Sequence, residues 1–239
     1  MQYYANSDRG LVRATNQDRY LVHPMTGSLL VAVLDGMGGH AGGDLAAECA
    51  AAALRDAFAS PPATIDEART VLTAAVREAD RRILEIAGDD PFFLGMGTTV
   101  SLLLFLGGHV LSLSIGDSRT YLYRSGELFC MTKDDSYVQA LVDAGMLDPA
   151  DAPFHPRRNV ITRSLGALGR APIEISCTSV VRGDTYLLCT DGLYGMTGEA
   201  FLARSLSQQL APSATVGYLI AAANEKGGED NITAVLVRT

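Results

Sequence analysis

The stretch Val100-Ser-Leu-Leu-Leu-Phe-Leu-Gly-Gly-His-Val-Leu-Ser-Leu-Ser-Ile115 contains two apolar runs, separated by Gly107, Gly108 and His109. Two adjacent glycines favour a tight connection between antiparallel strands, because both tolerate the positive φ angles that the commonest hairpin turn requires. A helix that crosses a bilayer needs about 20 consecutive apolar residues, and this stretch is shorter and interrupted. It therefore predicts a β-hairpin, and we expect no membrane-spanning segment in the chain.

Further apolar and β-branched runs flank the hairpin, and tight turns such as Arg124-Ser-Gly-Glu127 predict antiparallel neighbours. Strands are predicted over residues 29–34, 98–106, 110–115, 120–123, 173–181, 186–189 and 232–237. Two amphipathic helices, over residues 43–58 and 65–87, follow one another instead of alternating with strands. This order favours α+β layers over a doubly wound parallel sheet.

The chain has 239 residues, of which 48% are hydrophobic, and a formal net charge of -8. This composition supports one sizeable core, and no linker or repeat divides the chain, so we expect a single domain. The acidic balance argues against binding to nucleic acids or to anionic membranes.

The four cysteines, Cys49, Cys130, Cys177 and Cys189, are far apart and form no C-x-x-C pair. This spacing argues against a zinc site and against a disulfide framework. Cys177 and Cys189 stand in apolar runs, which predicts buried thiols. Because residues 1–18 also lack the apolar centre of a signal peptide, we expect a reducing cytoplasm as the compartment.

Aspartates recur where apolar runs end: Asp35, Asp117 and Asp191 each follow one, and Asp230 precedes one. A strand end lies at the rim of a sheet, and carboxylates that converge there repel one another unless a cation lies between them. Oxygen ligands suit hard ions such as Mg²⁺ and Mn²⁺. The alternative is that the Asp-Gly pairs only make turns, and this pattern alone leaves both interpretations open.

Six longer strings carry more information. In chain order they are Asp8-Arg-Gly-Leu-Val-Arg13-Ala-Thr-Asn-Gln-Asp18, Asp35-Gly-Met-Gly-Gly-His40, Gly97-Thr-Thr-Val100, Gly116-Asp-Ser-Arg119, Thr190-Asp-Gly-Leu193 and Gly228-Glu-Asp-Asn-Ile-Thr233. Their content, order and spacing resemble the bacterial branch of the type 2C protein phosphatases, the PPM family, from about Asp8 to Val237. The resemblance implies an α+β fold, a four-layer αββα sandwich of two antiparallel sheets flanked by helices. It implies one catalytic domain over residues 1–239, with a flap at about 132–164 beside the active site.

The resemblance also implies a set of site residues. As ligands of two tightly bound Mn²⁺ or Mg²⁺ ions and a third, weaker one it implies Asp35, the Gly36 carbonyl, Asp117, Asp191 and Asp230. Around the ions it implies Asp18, Gln17, Asn231 and His40. The substrate contacts would be Arg13, whose guanidinium fork matches two phosphate oxygens, and His155. Arg13, Asp18 and Asp35 are the residues expected to take part in catalysis.

The implied reaction is hydrolysis of phosphoserine and phosphothreonine on proteins. Two divalent ions about 4 Å apart would activate a bridging water that attacks phosphorus directly, so no phosphoenzyme is expected. The expected partners are phosphoprotein substrates of a serine/threonine kinase, and the expected protein is a monomer.

Three residues depart from the family pattern. Gln17 stands where many members carry Glu, and Asp135 replaces a His that is common in bacterial relatives. Met37 stands where many eukaryotic members carry a His proposed as the general acid, and a thioether cannot donate a proton. The expected acid is therefore a metal-bound water. In the flap, Arg157 and Arg158 fit an acidic phosphopeptide and solvated surface charges equally well.

Four other functions compete with this interpretation. Residues 36–41 fit the G-x-G-x-x-[GA] dinucleotide fingerprint of an oxidoreductase, but Asp35 would repel a pyrophosphate and the following region is helical. A nucleotide-dependent kinase or ATPase is disfavoured because no phosphate-binding loop with a lysine is present. A phosphoprotein-binding scaffold without activity is disfavoured because Asp35, Asp191 and Asp230 are all present. A small-molecule phosphatase of the same chemistry remains open.

Overall fold

The computed structural model describes residues 1–168 and 172–239, without the side chains of residues 39–41 and 89. The strands are β1 (Gln2–Asp8), β2 (Asp18–Met25), β3 (Ser28–Met37), β4 (Gly97–Thr98), β5 (Val100–Leu106), β6 (His109–Ile115), β7 (Arg119–Arg124), β8 (Glu127–Cys130), β9 (Ser176–Ser179), β10 (Thr185–Cys189) and β11 (Ile232–Arg238). The α-helices are α1 (Gly39–Ala57), α2 (Ile65–Asp89), α3 (Tyr137–Asp143), α4 (Asp191–Thr197), α5 (Glu199–Ser207) and α6 (Pro212–Glu225), with short 3₁₀ helices at Pro91–Phe93 and Ala152–Phe154.

The described strands form two antiparallel sheets. The first has the order β1-β11-β10-β7-β8, and the second has the order β2-β3-β5-β6-β9, with β4 paired to β3. The hairpin β5–β6 pairs Val100 with Ile115 and Leu106 with His109, so that its turn is Gly107-Gly108 as predicted. Both glycines have positive φ angles, of 56° and 77°, which suit this turn.

Alternate residues of β3 pack into two different cores, which explains its unbroken apolar run. Leu30, Ala32 and Leu34 pack with α1 and α2 on the outer face of the second sheet. Leu29, Val31 and Val33 pack with β10 and β11 between the two sheets. A third core joins the outer face of the first sheet to α4, α5 and α6. The layers are therefore helix, sheet, sheet and helix, and the predicted fold class is confirmed.

Helix α2 begins with a local hydrogen-bond exchange that its sequence encodes. Thr64 Oγ1 accepts from the Glu67 amide at 3.1 Å, and Glu67 Oε2 accepts from the Ala63 amide at 2.7 Å. These contacts satisfy amide groups that have no partner within the helix. Among the described residues, no helix is long and apolar enough to cross a membrane.

Some predicted elements differ from the structure. The first helix begins at Gly39, four residues before the predicted start, and residues 98–106 form two strands instead of one. The strand predicted over 173–181 is only Ser176–Ser179, and the Cys177 thiol in it is half-buried, so the prediction that Cys177 is buried was wrong. β9 is an edge strand paired only to β6, which leaves one side of it uncovered. Cys189, in the central strand β10, is buried as predicted.

Candidate active site

Five aspartates meet at one end of the sandwich, where several strands begin or end. Asp18 opens β2 and is the cross-strand partner of Asp35 in β3. Asp117 follows β6, Asp191 begins α4 directly after β10, and Asp230 lies two residues before β11. Because the strands are antiparallel, the ends of β3, β6 and β10 and the starts of β2 and β11 share this rim.

Glycines allow the loops at this rim to approach one another. A Cβ atom added to Gly36 would lie 2.1 Å from the Gly43 carbonyl oxygen, and one added to Gly192 would lie 2.1 Å from the Asn231 carbonyl oxygen. Neither distance is compatible with a side chain. The glycine beside Asp35 and the glycine beside Asp191 are therefore required by packing, in addition to any role in turns.

The backbone of Asp35 is held by two threonines of the segment Gly97-Thr-Thr-Val100. The Asp35 amide donates to Thr99 Oγ1 at 2.9 Å, and the Asp35 carbonyl accepts from Thr99 N and Thr98 Oγ1, both at 2.9 Å. Thr98 and Thr99 are fully buried. This segment therefore fixes the position from which the Asp35 carboxylate projects.

The pKa values at the rim are raised first by burial and then by repulsion among the aspartates. Burial, followed by the charges of Asp18, Asp191, Asp117 and Asp230, holds the pKa of Asp35 well above its usual range. Burial and the nearby charges of other aspartates also raise the pKa of Asp18 and of Asp117 to about 7, and that of Asp191 to about 6. Without a cation, these groups ionise only at a considerable electrostatic cost.

Buried oxygens without partners indicate what the rim can bind. Asp18, Asp117 and Asp191 each have an Oδ1 atom that is buried and accepts no hydrogen bond from the described residues. Buried polar atoms normally have a partner. Hard cations are coordinated by oxygen ligands of this kind. Within the described residues, no three His, Cys, Asp or Glu side chains form a complete ligand set. Mg²⁺ commonly takes only one or two carboxylates and keeps several waters, so the rim fits such ions.

Arg13 lies beside these carboxylates in a clamped loop. Its Nη2 atom donates to Asp230 Oδ2 at 2.7 Å, and half of its side chain is exposed. The amides of Leu11 and Val12 donate to the Gly228 carbonyl at 2.8 and 3.2 Å. The guanidinium therefore lies at the edge of the acidic rim with access to solvent, and its contact with a phosphate stays a prediction.

Asn231 joins this loop to β11 and is buried. Its Oδ1 atom accepts from the Gln17 amide at 2.8 Å, and its Nδ2 atom donates to the carbonyls of Arg9 and Thr15 at 2.8 and 2.9 Å. Asn231 thus supports the two ends of the loop that carries Arg13. These contacts give Asn231 a structural role in holding the loop, and its predicted place around the ions stays a prediction. The hydrogen bond between Asn231 and Gln17 uses the backbone amide of Gln17.

Two further residues of the quoted strings have contacts that sequence analysis missed. Thr190 Oγ1 donates to Asp18 Oδ2 at 2.8 Å and accepts from the Thr233 amide at 3.0 Å. Arg119 binds Asp134 through two nitrogens, at 2.9 and 2.7 Å, and its guanidinium lies 4.1 Å from the centre of the Tyr194 ring. The sequence offered one indication of their importance, which is that they lie inside the strings Thr190-Asp-Gly-Leu193 and Gly116-Asp-Ser-Arg119.

Tyr194 and Asp135 connect the turn that carries Asp117 to neighbouring elements. The Tyr194 hydroxyl, in α4, donates to the Asp117 carbonyl at 3.0 Å. Asp135 accepts from the Gly116 amide at 3.1 Å and donates its own amide to the Gly116 carbonyl at 2.8 Å. The aspartate at position 135 therefore attaches the start of the flap to the turn that carries Asp117.

The structure places His155 within the flap. Its Nδ1 atom accepts from the Arg157 amide at 3.1 Å, and its ring lies 5.9 Å from that of Tyr137. These contacts give His155 a local role in the flap, and its contact with substrate stays a prediction. The side chain of His40, predicted beside the ions, lies outside the described residues.

Comparison with known proteins agrees with this geometry. A family model described as Protein phosphatase 2C matches residues 12–234. The chain belongs to the protein phosphatase 2C family. Within that family it is 40% identical over 237 residues to the serine/threonine protein phosphatase PstP of Mycobacterium tuberculosis, which covers 99% of this chain and 44% of PstP. This protein phosphatase 2C chain therefore matches less than half the length of that relative.

One other relative of this protein phosphatase 2C chain, and one solved catalytic domain, match along almost their whole length. The serine/threonine phosphatase stp of Listeria innocua is 36% identical over 234 residues, which cover 97% of this chain and 93% of stp. The crystal structure of the catalytic domain of PstP in complex with two manganese ions superimposes with a TM-score of 0.87 and 37% identity, covering 98% of this chain and 96% of that one. The family predicted from the sequence is thus confirmed.

Proposed function

We propose that this chain is a metal-dependent serine/threonine protein phosphatase that hydrolyses phosphoserine and phosphothreonine on proteins. The observation that carries the proposal is the meeting of Asp35, Asp117 and Asp191 at one rim, beside the half-exposed side chain of Arg13. The Oδ1 atoms of Asp117 and Asp191 are buried there without a partner. Anionic oxygens that hold cations suit a phosphate ester when a guanidinium with access to solvent lies beside them. The names of PstP and stp, both serine/threonine phosphatases, support the same substrate class.

The proposed metal ligands are Asp35, the Gly36 carbonyl, Asp191 and Asp230 for two ions, and Asp117 for a third. The manganese ions in the PstP structure support Mn²⁺, with Mg²⁺ as an alternative. Such ions would supply an activated water and neutralise charge on the phosphoryl group. From this chain, Arg13 would bind two phosphate oxygens and orient the ester. Asp18, held by Thr190, would accept hydrogen bonds from water at the rim.

The decisive experiment measures hydrolysis of a phosphothreonine peptide and of p-nitrophenyl phosphate, with Mn²⁺, with Mg²⁺ and with excess chelator. We expect turnover with metal and none with chelator. Turnover that persists in chelator would refute the metal mechanism. Hydrolysis of small esters without any peptide turnover would favour a small-molecule phosphatase, and peptide binding without turnover would favour a scaffold.

A pair of variants tests the assignment of the ligands. Asp191→Asn should lower kcat by at least about a hundredfold, because it removes a charged ligand at the site of charge neutralisation, while calorimetry shows weaker Mn²⁺ binding. Asp66→Asn, at the exposed first turn of α2, is the matched control and should leave both measurements unchanged. Normal turnover in Asp191→Asn would remove this residue from the site.

The remaining predictions are proposals of the same kind. Residues 1–239 are proposed to form one catalytic domain that acts as a monomer and opposes a serine/threonine kinase. The cytoplasm is the proposed compartment, since Cys49, Cys130, Cys177 and Cys189 all carry free thiols.

A further inference from the structure

A buried aspartate on α2 binds the loop through which the chain leaves the flap. Asp80 is only 6% exposed, and it lies on the same face of α2 as the buried Val76 and Ile83. Its Oδ1 atom accepts from the Gly166 amide at 2.8 Å and from the Leu168 amide at 3.1 Å. A carboxylate is costly at such a position unless it is hydrogen-bonded. An apolar residue would fill the space but leave two amides unpaired.

The loop that Asp80 holds lies directly against the segment that fixes Asp35. Leu165 exchanges two backbone hydrogen bonds with Thr98, at 2.9 and 3.0 Å, and Thr98 Oγ1 donates to the Asp35 carbonyl. Gly166 packs so closely that an added Cβ would lie 2.6 Å from the Met96 carbonyl oxygen. The exit of the flap is therefore connected to the rim through Leu165 and Thr98, and to α2 through Asp80.

The entry of the flap is attached elsewhere. Asp134 binds Arg119, and Asp135 binds Gly116, beside Asp117. Between the two attachments, Met146 and Phe154 are 74% and 83% exposed. A peptide extends well beyond its phosphate and would reach this surface, whereas a small phosphate ester would occupy only the rim. The entry and exit are also joined to each other, because the Thr162 amide donates to the Asp135 carbonyl at 2.7 Å. We expect the position that these attachments give the flap to matter for the larger substrate.

We propose that Asp80 is a positioning residue that fixes the exit of the flap and thereby sets the preference for phosphopeptides over small phosphate esters. It acts through Gly166, Leu168 and the neighbouring Leu165, without contact with substrate. The proposal rests on the proposed phosphatase function, which the wild-type protein tests separately.

The test compares kcat/KM for a phosphothreonine peptide and for p-nitrophenyl phosphate, with saturating Mn²⁺, in wild type, Asp80→Ala and Asp80→Asn. In Asp80→Ala we expect a loss of about tenfold or more for the peptide, mainly in KM, and a change of less than about twofold for the ester. Asp80→Asn keeps an oxygen acceptor for both amides and should restore the wild-type ratio. Equal losses on both substrates, or no loss on either, would overturn the proposal. Inactive wild type would count against the phosphatase function instead.

Hydrogen exchange gives a readout that does not depend on activity. Asp80→Ala should increase amide exchange in residues 134–168, with little change in the first sheet. Asp184→Ala is the matched control, because Asp184 is also a buried carboxylate that accepts a backbone hydrogen bond, but far from the flap. Unchanged exchange in the flap of Asp80→Ala would contradict the inference. If Asp80→Ala does not fold, Asp80→Ser replaces it in the same comparison, because a serine side chain is too short to reach both amides.

Discussion

At the scale of single residues, the contacts of Asn231 explain why position 231 carries an amide although its neighbours in the site are carboxylates. Its side chain accepts one hydrogen bond and donates two, each within 2.9 Å, to the backbone of the loop that carries Arg13. An aspartate has the same shape but cannot donate when ionised. It would place an oxygen against the carbonyls of Arg9 and Thr15 and add a charge next to Asp230.

We therefore expect Asn231→Asp to loosen the loop and weaken phosphate binding. The loop would then no longer hold Arg13 in one orientation, so we expect KM for p-nitrophenyl phosphate to rise about tenfold or more. Steady-state kinetics measures this rise. The control is Asn6→Asp at an exposed position, where only an acceptor oxygen is used, for the Ser7 amide. A KM equal to that of wild type in Asn231→Asp would show that the loop is held by other contacts.

At the scale of elements, Asp184 joins the two sheets at the end opposite the acidic rim. It lies in the turn between β9 of one sheet and β10 of the other and accepts from Arg124 Nε at 2.7 Å and Nη2 at 2.6 Å. It also accepts from the Val181 amide and the Tyr186 hydroxyl. Burial alone would raise the pKa of Asp184, but these hydrogen bonds and the Arg124 charge outweigh it and hold the pKa below its ordinary value.

Asp184→Asn should lower the free energy of unfolding by about 2–3 kcal/mol at pH 7, since hydrogen bonds to a charged group are lost. Because its pKa is lower in the folded than in the unfolded chain, the contribution of Asp184 is complete above the ordinary value of 3.8 and disappears as pH falls through the lower folded value. Denaturant unfolding of wild type and variant should therefore differ at pH 7 and converge well below pH 4. A constant difference across that range would contradict this explanation.

Among the strands, the central ones could largely be predicted from the sequence and the edge ones could not. The central strands β3, β5, β10 and β11 are largely apolar on both faces, and their runs could be recognised directly. β6 is apolar on one face and carries Ser112 and Ser114 on the other. The edge strands β1 and β8 are largely exposed, and pairing with β11 and β7 forms them. Asp35 and Asp191 could be found because strand ends mark them. Asp80 could not, because its two acceptor contacts join residues 86 and 88 positions apart.

At the scale of the whole molecule, the sandwich concentrates negative charge at one end. Asp18, Asp117 and Asp191 have pKa values of about 7, 7 and 6, all above the ordinary 3.8. The folded state therefore holds protons that the unfolded chain has already released, so the stability of the metal-free protein falls as pH rises from about 4 to about 7. Cations bound at the rim would remove this penalty.

In chelator, the melting temperature of wild type should decrease as the pH is raised from about 5 to about 7.5. Saturating Mn²⁺ should reverse this trend. Asp35→Asn removes a buried carboxylate whose pKa is held well above its usual range, so the metal-free variant should melt higher than wild type, with a gap that widens as pH rises. Differential scanning calorimetry measures both. Equal melting temperatures of the two proteins at pH 7.5 in chelator would show that the aspartates do not repel one another appreciably.

The two apolar faces of β3 have a consequence for insertions and deletions. In most strands, a shift by one residue exposes apolar side chains and is rejected on that ground. In β3 a shift would exchange one set of aliphatic side chains for another, so hydrophobicity alone hardly opposes it. What opposes it is the far end of the strand, where Gly36 fits against Gly43 and Thr99 holds Asp35. The acidic rim therefore also fixes the register of β3, the strand that contributes to both the helix-covered core and the core between the sheets.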